Sequence, residues 1–335
     1  MCFSTSHNEI DSDKAKRIFQ WRFHRHSHYV NMTPLQENIV KTLAYFDVFS
    51  YPLSAEQVYS SLQTNSVTPK KIEEELRVLS HRAVINAVEP FYFLKHRESQ
   101  IVAHRLNGEH RARKLLSRAK NMTWIIKQFP FVRCVCLSGE LSKNVAGEKS
   151  DIDFFIITAP RRLWICRALL TLFKKIFLLN KRKYFCLNYL LAEDSLTVEN
   201  QNLFTAIETA TLKVMWNAAL FEKFIAANRW VNRFLPNWKL QPPSQTTVAE
   251  QRSPLQKAAE TLLNFLPLDI IDERLMKAMK QVWRKRYRNL SEEKLNELFQ
   301  STRSVSTAYG HDYQKIILHE YHRRLKMYGI AGTDG

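Results

Sequence analysis

Glycine is scarce in this chain, with 7 in 335 residues. That argues against a glycine-rich dinucleotide fold and for a mostly helical protein. Cysteine is also sparse. Of Cys2, Cys134, Cys136, Cys166 and Cys186, four lie in apolar stretches and none has metal-ligand spacing, so buried, reduced thiols are expected. Cys134 and Cys136 are two apart, which puts both on one face of a strand. No long uncharged apolar run exists. The most apolar helical segment, Leu163 to Leu179, is interrupted by Arg167, Lys174 and Lys175, so no membrane span is expected. The opening residues contain no apolar signal-peptide core, and a cytoplasmic protein is the expectation. Acidic charge is the minority: 50 Lys and Arg face 32 Asp and Glu, a net +18. Such an excess suits a polyanionic partner, whether nucleic acid, nucleotide phosphates or an anionic surface, or simply a solvated basic surface.

What is present is apolar residue at 45% and aromatic residue at 12%, enough to build a sizeable core. Residues 1–31 read as an irregular tail with a basic run from Trp21 to His28, and Met32-Thr33-Pro34 also reads as a start site. Residues 32–96 read as a winged-helix-like domain. Thr33 and Pro34 open a first helix, Ser54-Ala55-Glu56-Gln57 forms a capping box for a second, and Thr68-Pro69 opens a third. Val84–Val88 and Phe91–Leu94 read as two strands around Glu89-Pro90. The third helix carries Glu73, Glu74 and Glu75 beside Lys70, Lys71 and Arg77. Three consecutive carboxylates repel phosphates, which favours a packing or docking module over a DNA reader.

Residues 97–130 read as a long connecting helix, apolar at Leu115, Leu116, Trp124 and Ile125. Its basic face reads as solvated surface, with nucleic acid as the alternative contact. Residues 131–199 alternate strand and helix, with strands at Val132–Leu137, Asp151–Thr158 and Tyr184–Leu191. Residues 200–335 read as mainly helical, with an exposed linker from Gln241 to Pro254.

The chemistry concentrates in Val135-Cys136-Leu137-Ser138-Gly139, then, after residues 140–150, Asp151-Ile152-Asp153-Phe154. Asp151 and Asp153 are two apart on an expected strand, so both carboxylates project from one face. Hard oxygen ligands so placed hold Mg²⁺, and two ions stabilise both the attacking and the leaving oxygens of an in-line displacement. The Ser138-Gly139 bend lets backbone N–H groups approach phosphates with no Cβ in the way. Ser142 and Lys143 follow the bend as further phosphate contacts, and Arg161-Arg162 stands just beyond the second strand.

This pattern resembles the DNA polymerase β-like nucleotidyltransferase superfamily. The resemblance covers residues 131–191. It implies a nucleotidyltransferase fold, a small mixed sheet flanked by helices, within an α+β, mostly helical protein. It also implies transfer of a nucleoside monophosphate from an NTP to an acceptor hydroxyl on a small molecule, a protein side chain or an RNA end. Asp151 and Asp153 would hold two Mg²⁺ ions. Ser138, Gly139, Glu140, Ser142 and Lys143 would line the triphosphate. Glu140 stands where the family has Ser or Gly. Asn188 stands where it has a third acid, and Glu193 or Asp194 could substitute for it. Those departures support an alternative, a catalytically weakened nucleotide- or nucleic-acid-binding scaffold. A DNA-binding regulator acting through residues 32–96 is a third reading. His311, His319 and His322 read as surface histidines. The run Trp283 to Arg288 reads either as an amphipathic helix face or as a single-strand contact.

Overall fold

The computed structural model describes residues 31–65, 67–179, 182–240, 251–308 and 312–331. The expected tail up to residue 30, most of the expected linker and His311 lie outside the described residues. The fold is α+β, with helix outweighing strand.

The N-terminal module begins with α1 (Pro34–Asp47), closed by a capping box between Thr33 and Gln36. A short β1 (Leu53–Ser54) leads into α2 (Ala55–Ser60), capped by Ser54 and Gln57 as expected. Thr68 caps α3 (Pro69–His81). β2 (Ile85–Val88) and β3 (Phe91–Leu94) pair antiparallel, and β1 adds to β3, giving the order β1-β3-β2. Ile39, Leu43, Ile72, Leu76 and Leu79 form the module's buried centre. On α3, Lys71 pairs with Glu74 and Glu75, and Glu75 also accepts from Gln36.

The long helix α4 (Gln100–Ile126) leads to the second unit. It buries Ala112, Leu115, Ala119, Met122 and Ile126 against the central sheet. Trp124, expected on the buried face, is 58% exposed. Its neighbours Met122 and Ile126 hold the inward positions instead.

Five strands make the central sheet, in the order β7-β4-β5-β6-β8. They are β4 (Val132–Ser138), β5 (Asp153–Thr158), β6 (Cys186–Ala192), β7 (Lys213–Trp216) and β8 (Val305–Thr307). β5 and β6 run parallel, and the other pairs are antiparallel. A single helical turn, α5 (Gly139–Ser142), joins β4 to the loop before β5. α6 (Leu163–Phe177) crosses between β5 and β6. Alternation divides β5: Phe154 and Ile156 face α4 and α6, while Phe155 and Ile157 face the N-terminal module and the later helices. Residues 200–335 supply α7 (Leu203–Ala210), α8 (Ala218–Ala227), α9 (Pro254–Leu263), α10 (Leu268–Arg286), α11 (Glu292–Leu298) and α12 (Tyr313–Met327). This mainly helical region also provides β7 and β8, the two edge strands of the sheet. Among the described residues, no helix is long and apolar enough to cross a membrane.

A buried ion network ties the chain's ends together. Arg97 donates to both Asp47 carboxylate oxygens at 2.7 and 3.0 Å, and Arg324 on α12 donates to Asp47 at 2.6 Å. Arg324 also donates to Glu320 at 2.8 Å. Burial works to raise the Asp47 carboxyl, but hydrogen bonding from His96 and Arg97, with the Arg97 charge, holds it well below the usual carboxylate range. Its stabilising contribution is therefore complete above an ordinary Asp pKa of about 4 and declines as pH falls below it. Asp47→Ala removes the carboxylate shared by two buried guanidinium groups, Arg324 keeping Glu320, and is expected to cost about 3–5 kcal/mol in urea unfolding at neutral pH, with a smaller deficit at acid pH. An unchanged unfolding midpoint at pH 7 would refute this role.

Candidate metal and phosphate site

β4 is buried along both faces, with Val135, Cys136 and Leu137 inaccessible. It ends where Gly139 takes φ +68°, a left-handed conformation that only glycine adopts without strain. A side chain at this position would also displace Asp153. A Cβ there would stand 2.7 Å from Asp153 Oδ2. The Asp153 carboxylate thus lies directly against the bend, and Ser138 is the cross-strand partner of Asp153.

The loop after the bend is fastened on every side. Ser142 Oγ donates to the Gly139 carbonyl at 2.9 Å. Glu140 accepts from Gly147 N at 3.2 Å and from Ser150 Oγ. From α4, the Gly108 carbonyl accepts from Ala146 N, and Arg111 Nε donates to the Ala146 carbonyl. A Cβ at Gly108 would meet Val145 Cγ2 at 2.5 Å, so a larger residue there would make Val145 shift. Tyr51 of the N-terminal module donates to the Lys143 carbonyl at 3.3 Å. Arg105 sits at 4.2 Å over the rings of both Tyr51 and Phe91 and holds that module against α4.

Asp151 precedes β5 instead of opening it, as had been expected. Ile152 N donates to the Lys183 carbonyl, and Cys186 N donates to the Ile152 carbonyl. This pinning brings Asp151 and Asp153 together even though only Asp153 has strand geometry. Because β5 and β6 are parallel, Cys186 stands level with Asp153. Ligand atoms of Asp151, Asp153 and Cys186 all lie within 4.8 Å of one another, with both aspartates half-buried and Cys186 buried. Two carboxylates and a thiol in that space form a donor set for a divalent ion.

Asn188, expected at the third-acid position, lies one step further along β6. Its Oδ1 accepts from Cys186 Sγ at 3.2 Å. The β5–β6 register shifts here, pairing Phe154 with Leu187 but Phe155 with Tyr189. Asn188 is thereby the extra residue of a bulge. Cys186 was missed as a ligand because its proximity comes from parallel pairing across a long crossover, and sequence spacing carries no trace of that.

Other expected contacts fall elsewhere. Lys143 Nζ is occupied by Glu208 at 2.8 Å and by the Gly139 carbonyl at 3.2 Å. Ser142 is buried. Arg161 and Arg162 sit beyond the opposite end of β5 and face Asp269 on α10. Glu193 follows the far end of β6, where its N–H donates to Thr158, and Asp194 follows it. Neither acid substitutes for a third ligand, because strand direction carries both away from Asp153. Trp283 and Tyr287 stack on Phe299 at 4.7 and 4.6 Å, so their rings are used in packing. His319 is exposed, and no second group with metal-ligand geometry occurs among the described residues. A cavity of about 150 Å³ lined by Lys280, Trp283, Arg284, Leu295, Asn296, Phe299 and Ser301 shares no residue with the carboxylate site. It is also smaller than a nucleotide needs.

Comparison with family models, curated proteins and solved structures gives no match for this chain.

Gly139→Ala is expected to cost about 1–3 kcal/mol through the left-handed backbone alone. It should also displace the Asp153 carboxylate, so Mn²⁺ affinity by calorimetry falls further than in a Gly147→Ala control. Equal Mn²⁺ affinity in wild type and Gly139→Ala would show that the bend does not place the acid.

Proposed function

We propose that this protein is a divalent-metal-dependent nucleotidyltransferase that moves a nucleoside monophosphate from an NTP to an acceptor hydroxyl. The observation that carries the reading is the Asp153 carboxylate seated against the Cβ-free bend at Gly139, with Asp151 and Cys186 ligand atoms beside it. Asp151 and Asp153 hold the metal, and Cys186 offers a third ligand at the strand end. The ions supply charge neutralisation for the attacking and leaving oxygens. The Ser138 hydroxyl and the bare Gly139 backbone leave room for phosphate oxygens at the same strand end. Glu140 is no obstacle, since its carboxylate is committed to Gly147 and Ser150. Lys143 positions the turn through Glu208 and contributes no free charge to the phosphates.

The sheet supports the family resemblance as well. That resemblance implies a small mixed sheet flanked by helices, and the five strands here include both antiparallel and parallel pairs. The N-terminal order of helix, strand, two helices and two strands, with the first strand paired to the last, supports the winged-helix reading. Pairing of Lys71 with Glu74 and Glu75 removes a cation from any phosphate-reading face of α3. That favours a docking role, made concrete by the Tyr51 and Arg105 contacts.

One observation favours a second reading. Cys186 and Asn188 fill the space where the family pattern has an acid, and Asn takes up no proton. A catalytically weakened nucleotide-binding protein fits that substitution.

Incubation with NTPs separates the two. Pyrophosphate release is expected, faster with Mn²⁺ than with Mg²⁺ because a sulfur donor suits the softer ion. Asp153→Ala is expected to reduce it by about 100-fold or more. Cys186→Asp is expected to restore the Mg²⁺ rate relative to Mn²⁺. ATP binding without turnover under either ion, in wild type and Cys186→Asp alike, would reject the enzymatic reading in favour of the second.

A further inference from the structure

The end of α6 presents a surface that neither the sheet nor the proposed site uses. Leu172, Ile176, Phe177 and Leu179 are all more than half exposed, Phe177 at 70% and Leu179 at 75%. The i, i+4 spacing puts Leu172 and Ile176 on one side of the helix, and Phe177 and Leu179 follow at its end. The C-terminal end of α4 borders this surface. Phe129 packs edge-on against Phe173 at 5.4 Å, and Phe173 stacks on Phe177 at 5.3 Å. One turn before Phe129, Trp124 is 58% exposed. Single exposed apolar residues are ordinary, but five large ones around one helix junction are not.

Cations border the end of α6. From Phe154 to Ala192 the sequence contains no Asp or Glu. Lys175 and Lys183 are exposed. On the adjoining helix, the one acid, Glu109, is held by Arg105 at 2.9 Å. Arg118 reaches across to Tyr184, donating to its hydroxyl at 3.2 Å and lying 5.2 Å over its ring.

We propose that this face docks on an anionic lipid surface as a peripheral contact, without spanning it. Exposed Leu, Ile, Phe and Trp enter the headgroup boundary, while Lys and Arg around them meet the negative lipids. Charge decides against a second copy of the chain, because two such faces would bring like charges together in a protein of net +18. Chemistry favours lipid over nucleic acid, because Leu172, Ile176 and Leu179 are aliphatic, and of the two exposed rings Phe177 already stacks on Phe173, leaving Trp124 to meet a base.

The test is sedimentation of the full-length protein with extruded vesicles at physiological ionic strength. One set is phosphatidylcholine alone, and the other is phosphatidylcholine with phosphatidylglycerol. The protein is expected to sediment with the second set and not the first. An Ile176→Ser/Phe177→Ser variant is expected to bind the anionic vesicles at least about tenfold more weakly, with its thermal transition and pyrophosphate release unchanged. Lys175→Glu alone should weaken binding about fivefold. Failure of wild type to sediment with anionic vesicles overturns the proposal, as does sedimentation of both variants at wild-type levels. Conversion of a wild-type dimer to monomer by the double variant overturns it in favour of a self-interface. Loss of RNA oligonucleotide binding in the same variants, with no vesicle binding by wild type, overturns it in favour of nucleic acid. Pyrophosphate release is read separately, so failure here leaves the enzymatic reading standing, and the converse holds.

Discussion

The close approach of the Asp153 carboxylate to the bare Cα of Gly139 is the constraint around which the rest of the chain is arranged. It locks the end of β4 to the start of β5 and requires a left-handed residue with no side chain at one position. The intervening loop must then leave the strand end and return to it within a short span. It does so by satisfying its polar groups on neighbours instead of solvent. Glu140 takes two contacts, and Gly108, Arg111 and Tyr51 take one each. Two of those residues lie on α4 and one in the N-terminal module. The geometry of the two aspartates is therefore a property of the whole assembly, not of a local motif.

The Asp47 network extends that dependence to the other end of the chain. A buried carboxylate with two guanidinium partners contributes little net stability relative to a packed apolar cluster of similar size, because desolvating three charges offsets most of their attraction. What it does impose is a single arrangement. Asp47 closes α1, Arg97 stands just before α4, and Arg324 comes from α12. No apolar substitution would demand that these three elements meet in one register. The N-terminal module is thereby held in the orientation from which Tyr51 reaches the site loop. Completion of the sheet by β7 and β8 works in the same direction, since residues 200–335 are needed before β4 and β6 have partners on their outer edges.

Much of this was legible in the sequence, and the failures share a cause. Caps at Thr33, Ser54 and Thr68 are local chemistry, and each helix starts where its cap stands. The strand before Ser138, the bend at Gly139 and the acid pair were readable for the same reason. What escaped was set by contacts distant in sequence. β8 is three residues long and exists only because β6 offers it an edge. Cys186 became a ligand candidate only through the register of a parallel pair. Trp124 looked like a core residue by type, yet the helix phase set by Ala112, Leu115, Ala119 and Met122 turns it outward. Lys143, Arg161 and Arg162 looked like phosphate contacts by proximity in sequence, and each has a carboxylate opposite it in the fold.

The positive charge changes meaning once its members are located. As a sum, +18 suits any polyanion. In the fold, Arg97, Arg105, Arg133, Lys143 and Arg324 are spent on internal carboxylates, where they orient elements and project little field outward. The residual charge is thus not spread evenly. It collects where acids are missing, on the outer face of α4 and around the end of α6. Exposed charges interact over roughly 8–10 Å at physiological salt, so a partner feels that local collection and not the total. A surface both acid-free and apolar selects a partner that is both anionic and able to accept hydrocarbon. Phosphate backbones meet the first condition alone, and a lipid headgroup layer meets both.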